Sequence, residues 1–399
     1  ATLSDTDDTD VTGSELVTNG TFDSTASWNF HAGWGVSGGE LVATSAAVNT
    51  IAYQNIPTTT GKTYVATIDC TAITAGSFGL YYRVDGGSYQ NNVTIAAGET
   101  ASLTFTALSS SSRLVVYALS GPSSGTFDNV SLRLAEEDRS VNGNGLQVFG
   151  TVTKNPVATG ADLVAYSGFS TSNYLEQPYN ADLNFGTSDF CVMAWVKLSS
   201  NAVQNTVLHI KSNTGQIDYL LLQQQTNGDF RFQTDLSSGA NVAAKNNIGT
   251  EWAFVAGVRD GNTNRLYVNG VEAATVNQSV SNDSFDYTSG TTTVGAAEGG
   301  SAPMSGSLAL LRISATAPSP EQIKKIYEDE KVLFQENAQA TLYGSSDAVT
   351  ALAYDDTTEL LHVGTSAGRS VFQGLRRVDN TTDAVGAAIS ASNGLVAED

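Results

Sequence analysis

The sequence predicts a mainly β protein: two tandem jelly-roll or β-sandwich domains, one α-helix and a small C-terminal β segment. Three observations carry that expectation. Short apolar runs of strand length recur between clusters of Gly, Ser, Thr and Asn. The stretch Thr250–Glu272 (TEWAFVAGVRDGNTNRLYVNGVE) spells two strands joined by the turn residues Asp260, Gly261 and Asn262. It closes on Asn269-Gly270, a pair suited to the positive φ that a tight hairpin turn requires. Helical periodicity surfaces in one place, between Pro318 and Ala340.

Taken in order, residues 1–13 (ATLSDTDDTDVTG) form an acidic lead-in that reads as a solvated tail. Residues 14–135 hold the runs YVATID, FGLYYRV, SLTFTA, RLVVYAL and NVSLRL, spaced as in a sandwich. Residues 136–160 read as a charged, glycine-rich connector with one short strand, Leu146 to Val152. A second β domain spans 161–317, with DFCVMAWVKL, DYLLLQQQ, DFRFQTD and SGSLALLRIS among its strands. In the helix, 318–341, Ser319 is the N-cap, Pro320 the first helical residue and Gln322 the capping-box partner. Ile323, Ile326, Tyr327, Leu333 and Phe334 make its apolar stripe. Its length leaves two options, packing on the second sandwich or opening a bundle with copies of itself. Residues 342–399 are a last β segment, with too little apolar sequence to enclose an interior of its own.

A formal charge of −21 and a pI near 4.3 oppose both phosphate backbones and anionic lipid, so nucleic acid and membrane insertion are not expected. No apolar run approaches the ~18 residues of a spanning helix. The polar, acidic start at Ala1 shows no signal-peptide pattern. Cys70 and Cys191, far apart in apolar contexts, read as small buried hydrophobes and not as a disulfide framework.

The first domain opens on Glu15-Leu16-Val17-Thr18-Asn19-Gly20-Thr21-Phe22-Asp23, continues to Trp28 and closes on Thr126-Phe127-Asp128-Asn129-Val130-Ser131-Leu132. These ends resemble the family 4/9/22-type carbohydrate-binding modules. The resemblance implies a concave face on which glycans meet aromatic rings and polar groups, since sugar C–H faces are apolar and their rims need hydrogen bonds. Trp28, Phe30, Trp34, Tyr53, Tyr81, Tyr82 and Tyr89 are available for that role. Trp34, Trp28, Tyr53, Tyr82 and Tyr89 form the expected sugar-binding set, with Trp34 foremost and a structural reading standing beside Trp28. Strand alternation puts Tyr81 and Tyr82 on opposite faces, so at least one belongs to the core. The same resemblance implies a structural Ca²⁺ at Asp128, with Asp23 as a weaker ligand.

The second domain resembles a laminin-G/concanavalin-A-like lectin sandwich. Phe190–Lys197, Trp252 with Phe254–Gly261, Leu266–Gly270, Thr293–Gly295 and Ser305–Ile313 carry the likeness. Trp195 and Trp252 are expected in its core. A sugar or Ca²⁺ site at the rim has Asp218, Asp235, Asn282, Asp283 and Asp286 to draw on. In the last segment, Val349–Asp355, Glu359–Gly368 and Ser370–Phe372 resemble a single β-propeller blade with no second copy in the chain. One blade leaves an apolar face uncovered, so it either packs on the helix or is pooled between chains, the preferred form being a homotrimer. The whole arrangement resembles the modular build of bacteriophage tail fibres and virion surface proteins. It implies an extracellular, virion-borne adhesin for host glycans. An inert decoration protein, or an accessory module of a secreted carbohydrate-active enzyme, is the alternative.

Catalysis is not expected. His31, His209 and His362 fall in three segments without metal-ligand spacing, and no nucleophile elbow or phosphate-binding loop is present. The run nearest to the acidic strand of a sandwich glycosidase, Glu328-Asp329-Glu330, falls on the helix.

Overall fold

The computed structural model describes residues 2–3, 5–84, 87–212, 219–236, 239–277, 284–285, 287, 289–346 and 348–399. The architecture is mainly β, with sandwiches, a single α-helix among the described residues and small C-terminal sheets.

The first sandwich packs two antiparallel sheets. One has five strands in the order Asn29–Phe30, Ile51–Pro57, Ser111–Ala118, Phe78–Val84 and Tyr89–Ile95. The other runs Trp34–Ser37, Glu40–Ala46, Ser123–Glu136, Thr63–Ala75 and Thr100–Thr106. Period-two alternation assigns the faces. Phe78, Leu80 and Tyr82 point inward with Leu114, Val116 and Ala118, while Tyr81, Arg83, Arg113 and Tyr117 point outward. Trp34, Phe78 and Phe127 meet at the centre, the indole 5.5 Å from Phe78 edge-on and 6.2 Å from Phe127.

The second sandwich has a sheet of six main strands, Val164–Ser167, Gly306–Ser314, Phe190–Leu198, Ala253–Asp260, Thr263–Val268 and Val271–Asn277, with the short Thr2–Leu3 also paired to Gly306–Ser314. Facing it are seven strands: Leu146–Pro156, Tyr174–Pro178, Thr291–Val294, Asn205–Lys211, Tyr219–Gln224, Asp229–Leu236 and Gly239–Asn246. Their facing side chains form one core, including Val192, Leu208, Phe230 and Phe232. The helix Pro320–Glu330, with its capping box in place, covers the other face of the six-stranded sheet.

Three features depart from the sequence expectation. The lead-in is built into the fold: Val11–Gly13 pairs with Leu146–Pro156, and Lys154 is buried against Asp5, with Nζ 2.5 Å from Oδ2. A salt link to a buried lysine is what holds an acidic stretch that would otherwise be solvated. The connector strand runs Leu146–Pro156 and pairs into the second sandwich. The helix stops at Glu330, short of the expected end at 341. The buried Glu330 carboxylate accepts from Trp195 Nε1 at 2.8 Å and Arg312 Nη2 at 3.0 Å. A 3-10 turn, Lys331–Phe334, then lays Phe334 on Trp195 at 4.2 Å. The apolar stripe thus ends on the sandwich.

The C-terminal segment is tied on by Asp162, whose Oδ2 accepts from Ala340 N, Thr341 N and Thr341 Oγ1. Four strands, Val349–Asp355, Leu360–Thr365, Gly368–Gln373 and Arg376–Asn380, form one sheet, and the hairpin Ile389–Ser392/Leu395–Glu398 forms another. Val363, Val371 and Val385 are buried here. Leu352 and Tyr354, on an edge strand, are 61% and 58% exposed, and Leu361 beside them is 36% exposed.

Candidate functional site

The outer face of the five-stranded sheet gathers aromatic rings. Across it, Tyr53, Val115, Tyr81 and Asn92 stand in one row, with Tyr117 opposite Gly79 in the next. Tyr81, Tyr89 and Tyr117 form a triangle with ring centres 5.4, 5.2 and 5.3 Å apart. Gly79 makes that possible, because a Cβ there would stand 2.6 Å from Tyr81 Cε2. Val115, fully buried, and Ile51 lie on this face outside the sandwich core, so the rings have an apolar floor of their own.

Polar groups edge the rings. The Arg83 guanidinium lies 5.0 Å from the Tyr89 centroid and that of Arg113 lies 4.7 Å from Tyr53, both within cation–π range. Their Nε atoms donate to Gly87 O and Asn55 Oδ1, which fixes the planes. Tyr117 donates to Asn49 Oδ1 at 2.5 Å. Burial raises the phenol pKa values of Tyr81 and Tyr89, so both remain hydrogen-bond donors at neutral pH. Half-buried rings with protonated hydroxyls suit a ligand that is apolar on its face and polar at its rim.

The expected sugar-binding set divides. Tyr53 and Tyr89 stand on this face. Trp34, Trp28 and Tyr82 do not, and each is a correction. Trp34 is buried in the core, its Nε1 donating to Thr50 Oγ1 at 3.0 Å. Of the glycines beside it, Gly33 serves packing: its φ is +87° and a Cβ there would come 2.8 Å from Ala46 Cα. Trp28 is buried against Phe22 and donates to Asn19 O. Tyr82 is fully buried, stacked on Phe105 at 4.1 Å, with its hydroxyl accepting from Leu108 N. Phe30 is partly buried against the same core. Tyr117, Arg83 and Arg113 were missed. The alternation of SSRLVVYA and FGLYYRV, with Leu114-Val116 and Phe78-Leu80 fixing the inward parity, points to all three.

Of the expected metal ligands, Asp23 is exposed and accepts from Thr21 Oγ1 at 3.2 Å. Asp128 Oδ1 is buried without a partner, which fits a cation. No group of three or more His, Cys, Asp or Glu able to hold a metal occurs among the described residues. A Ca²⁺ at Asp128 would therefore take most of its oxygens from other donors. Asp218, Asn282, Asp283, Asp286 and the side chain of Asp235 lie outside the described residues.

The seven-stranded sheet presents a second polar row on its outer face. Glu176, Thr293 and His209 are cross-strand neighbours. Burial, with Glu298 adding repulsion, pushes the Glu176 carboxyl up to about 7. Burial pulls the His209 imidazolium down to about 4. The Glu298 backbone N–H donates to His209 Nδ1 at 3.1 Å, which places the ring proton on Nε2. Glu298 itself pairs with Lys211.

Residues 169–324 match the family described as the Concanavalin A-like lectin/glucanases superfamily. The matched stretch falls on the second sandwich and the start of the helix that covers it. No curated protein sequence matches the chain. Among solved structures, the binding domain of Paraclostridial Mosquitocidal Protein 1 is similar at 14% identity, with 59% of this chain and 62% of that one covered and a TM-score of 0.40. The chain thus spans less than two thirds of that structure. Domain 4 of AbnA, a GH43 extracellular arabinanase from Geobacillus stearothermophilus in complex with arabinotriose, is 20% identical over 45% of this chain and 82% of that one, with a TM-score of 0.36. The Ruminococcus gnavus IT-sialidase CBM40 bound to α2,3 sialyllactose is 14% identical over 36% and 84%, with a TM-score of 0.31. The sandwich assignment stands on the strand order and the matched family. Among the described residues, no helix is long and apolar enough to cross a membrane.

Proposed function

We propose that this chain is a non-catalytic, extracellular glycan-binding adhesin, a homotrimeric fibre subunit on a bacteriophage virion that engages host surface sugars. The observation that carries the glycan part is the tyrosine face: Tyr53, Tyr81, Tyr89 and Tyr117 on a floor of Val115 and Ile51, edged by Arg83 and Arg113. A glycan array probed with the chain and with Tyr81→Ala/Tyr117→Ala tests it. Loss of signal in the double variant, with unchanged folding, is expected. Equal signal from both proteins removes the face from the proposal.

Trimerisation draws its support from the exposed Leu352, Tyr354 and Leu361 around an unpaired edge strand, a surface that soluble proteins ordinarily cover. Light scattering is expected to give three chains per particle, and one chain per particle after Leu352→Glu/Tyr354→Glu. A monomer before mutation sinks the fibre assignment and leaves the adhesin. A structural calcium ion at Asp128 belongs to the same proposal, and a Tm unmoved by EDTA argues against it.

One observation favours a second reading. A carboxyl raised to about 7 beside an ion-paired Glu298 is the kind of group a glycoside hydrolase uses as its acid. Release of reducing sugar from polysaccharide, abolished by Glu176→Gln, establishes it.

A further inference from the structure

The two sandwiches enclose a cleft of about 380 Å³ where strands Tyr89–Ile95 and Thr100–Thr106 of the first, one from each of its sheets, with the turn between them, meet the connector and the end of Tyr174–Pro178. Ser102, Thr104, Asn144, Gln177, Tyr179 and Asn180 supply its polar wall. Glu99 is the one charged side chain among the described residues that line it, and no cation does. Hydroxyls, amides and a single ring are a poor match for an ionic ligand. They match an uncharged ligand rich in hydroxyls, at a volume in the ordinary range for small-molecule sites.

One detail shows a group free for such a partner. Asn180 commits Oδ1 to the backbone of Asp182, so its Nδ2 is the group left to donate. Tyr179, held 5.1 Å from Tyr287, adds a half-buried ring. We infer that this cleft is a second carbohydrate site, one that takes a neutral oligosaccharide and holds it between the two sandwiches. It shares no residue with the tyrosine face and stands or falls without it.

Native gel electrophoresis through neutral polysaccharide (mixed-linkage β-glucan, arabinoxylan and galactomannan in separate gels) tests the inference on the full chain. At least one polymer is expected to retard the protein. Retardation should weaken about tenfold in Ser102→Trp, which fills the cleft. It should weaken several-fold in Tyr179→Ala, which removes the ring. The Tyr81→Ala/Tyr117→Ala protein should be retarded as before. Migration unaffected by all three polymers overturns the inference, as does retardation that survives both cleft variants. Retardation lost only in the tyrosine variant assigns neutral sugar to the other face and also overturns it.

Discussion

The five-stranded sheet of the first sandwich and the seven-stranded sheet of the second each turn a polar face outward, by different means. On the first, guanidinium groups lie along half-exposed rings, and the rings rest on Val115 and Ile51 instead of on the main core. On the second, burial keeps His209 neutral and leaves Glu176 titrating close to neutral pH. A face with its own small floor can lose a ring and keep its sandwich. A face whose polar groups are packed into the sheet answers to pH.

The largest expected effect tests the inside–outside division of the first sandwich. Trp34→Ala removes an indole from between Phe78 and Phe127 and should cost about 3–5 kcal/mol in urea unfolding. Sugar binding per folded molecule should not change. A variant that kept its stability and lost its sugar would return Trp34 to the surface. Next in size is Tyr81→Ala with Tyr117→Ala, expected to lower glycan affinity ten- to a hundredfold, about 1.4–2.8 kcal/mol, by titration calorimetry. Its unfolding free energy should fall far less than that of Trp34→Ala, because Val115 beneath the rings is not part of the core.

Much of this was legible in the sequence. Gly-rich punctuation marked the strands, and Ser319-Pro320-Glu321-Gln322 marked the helix start, since capping and turn chemistry are local. The face of each tyrosine was legible too, but only through its strand neighbours. Tyr82 shares parity with Phe78 and Leu80, which decides its burial more firmly than its chemistry does. Trp34, set between two glycines, reads as a sugar contact because the sequence does not show that Gly33 brings Ala46 close. Glu176, Thr293 and His209 lie far apart in the chain and meet through a register that no local pattern encodes. The same holds for Asp5 on Lys154, a long-range ion pair that turns an apparent tail into part of the fold.

The smallest effect sharpens the comparison from the other side. Glu176 sits at about 7 in the fold against an ordinary 4.5, so between those values the folded chain keeps a proton that the unfolded chain has released. Its contribution therefore falls as pH rises from about 4.5 and is at its worst above 7. His209 runs the opposite way: at about 4 in the fold against 6.5, it costs stability as pH drops through that window. Arg133 and Glu298 face Glu176, and Glu298 and Lys211 face His209, so neither titration is a lone-group effect. In the wild-type chain the two slopes oppose each other between about 4.5 and 6.5 and should leave a nearly flat profile. Glu176→Gln removes one of them. The variant should match the wild type near pH 4.5 and exceed it by about 1 kcal/mol at pH 8, a figure set below the full shift because the carboxyl retains some solvent. Its own stability should climb from pH 4 to 6.5 on the His209 slope and then level off. A variant no more stable than the wild type at pH 8 would mean that Glu176 is solvated and charged, and the contrast between the two faces would vanish with it.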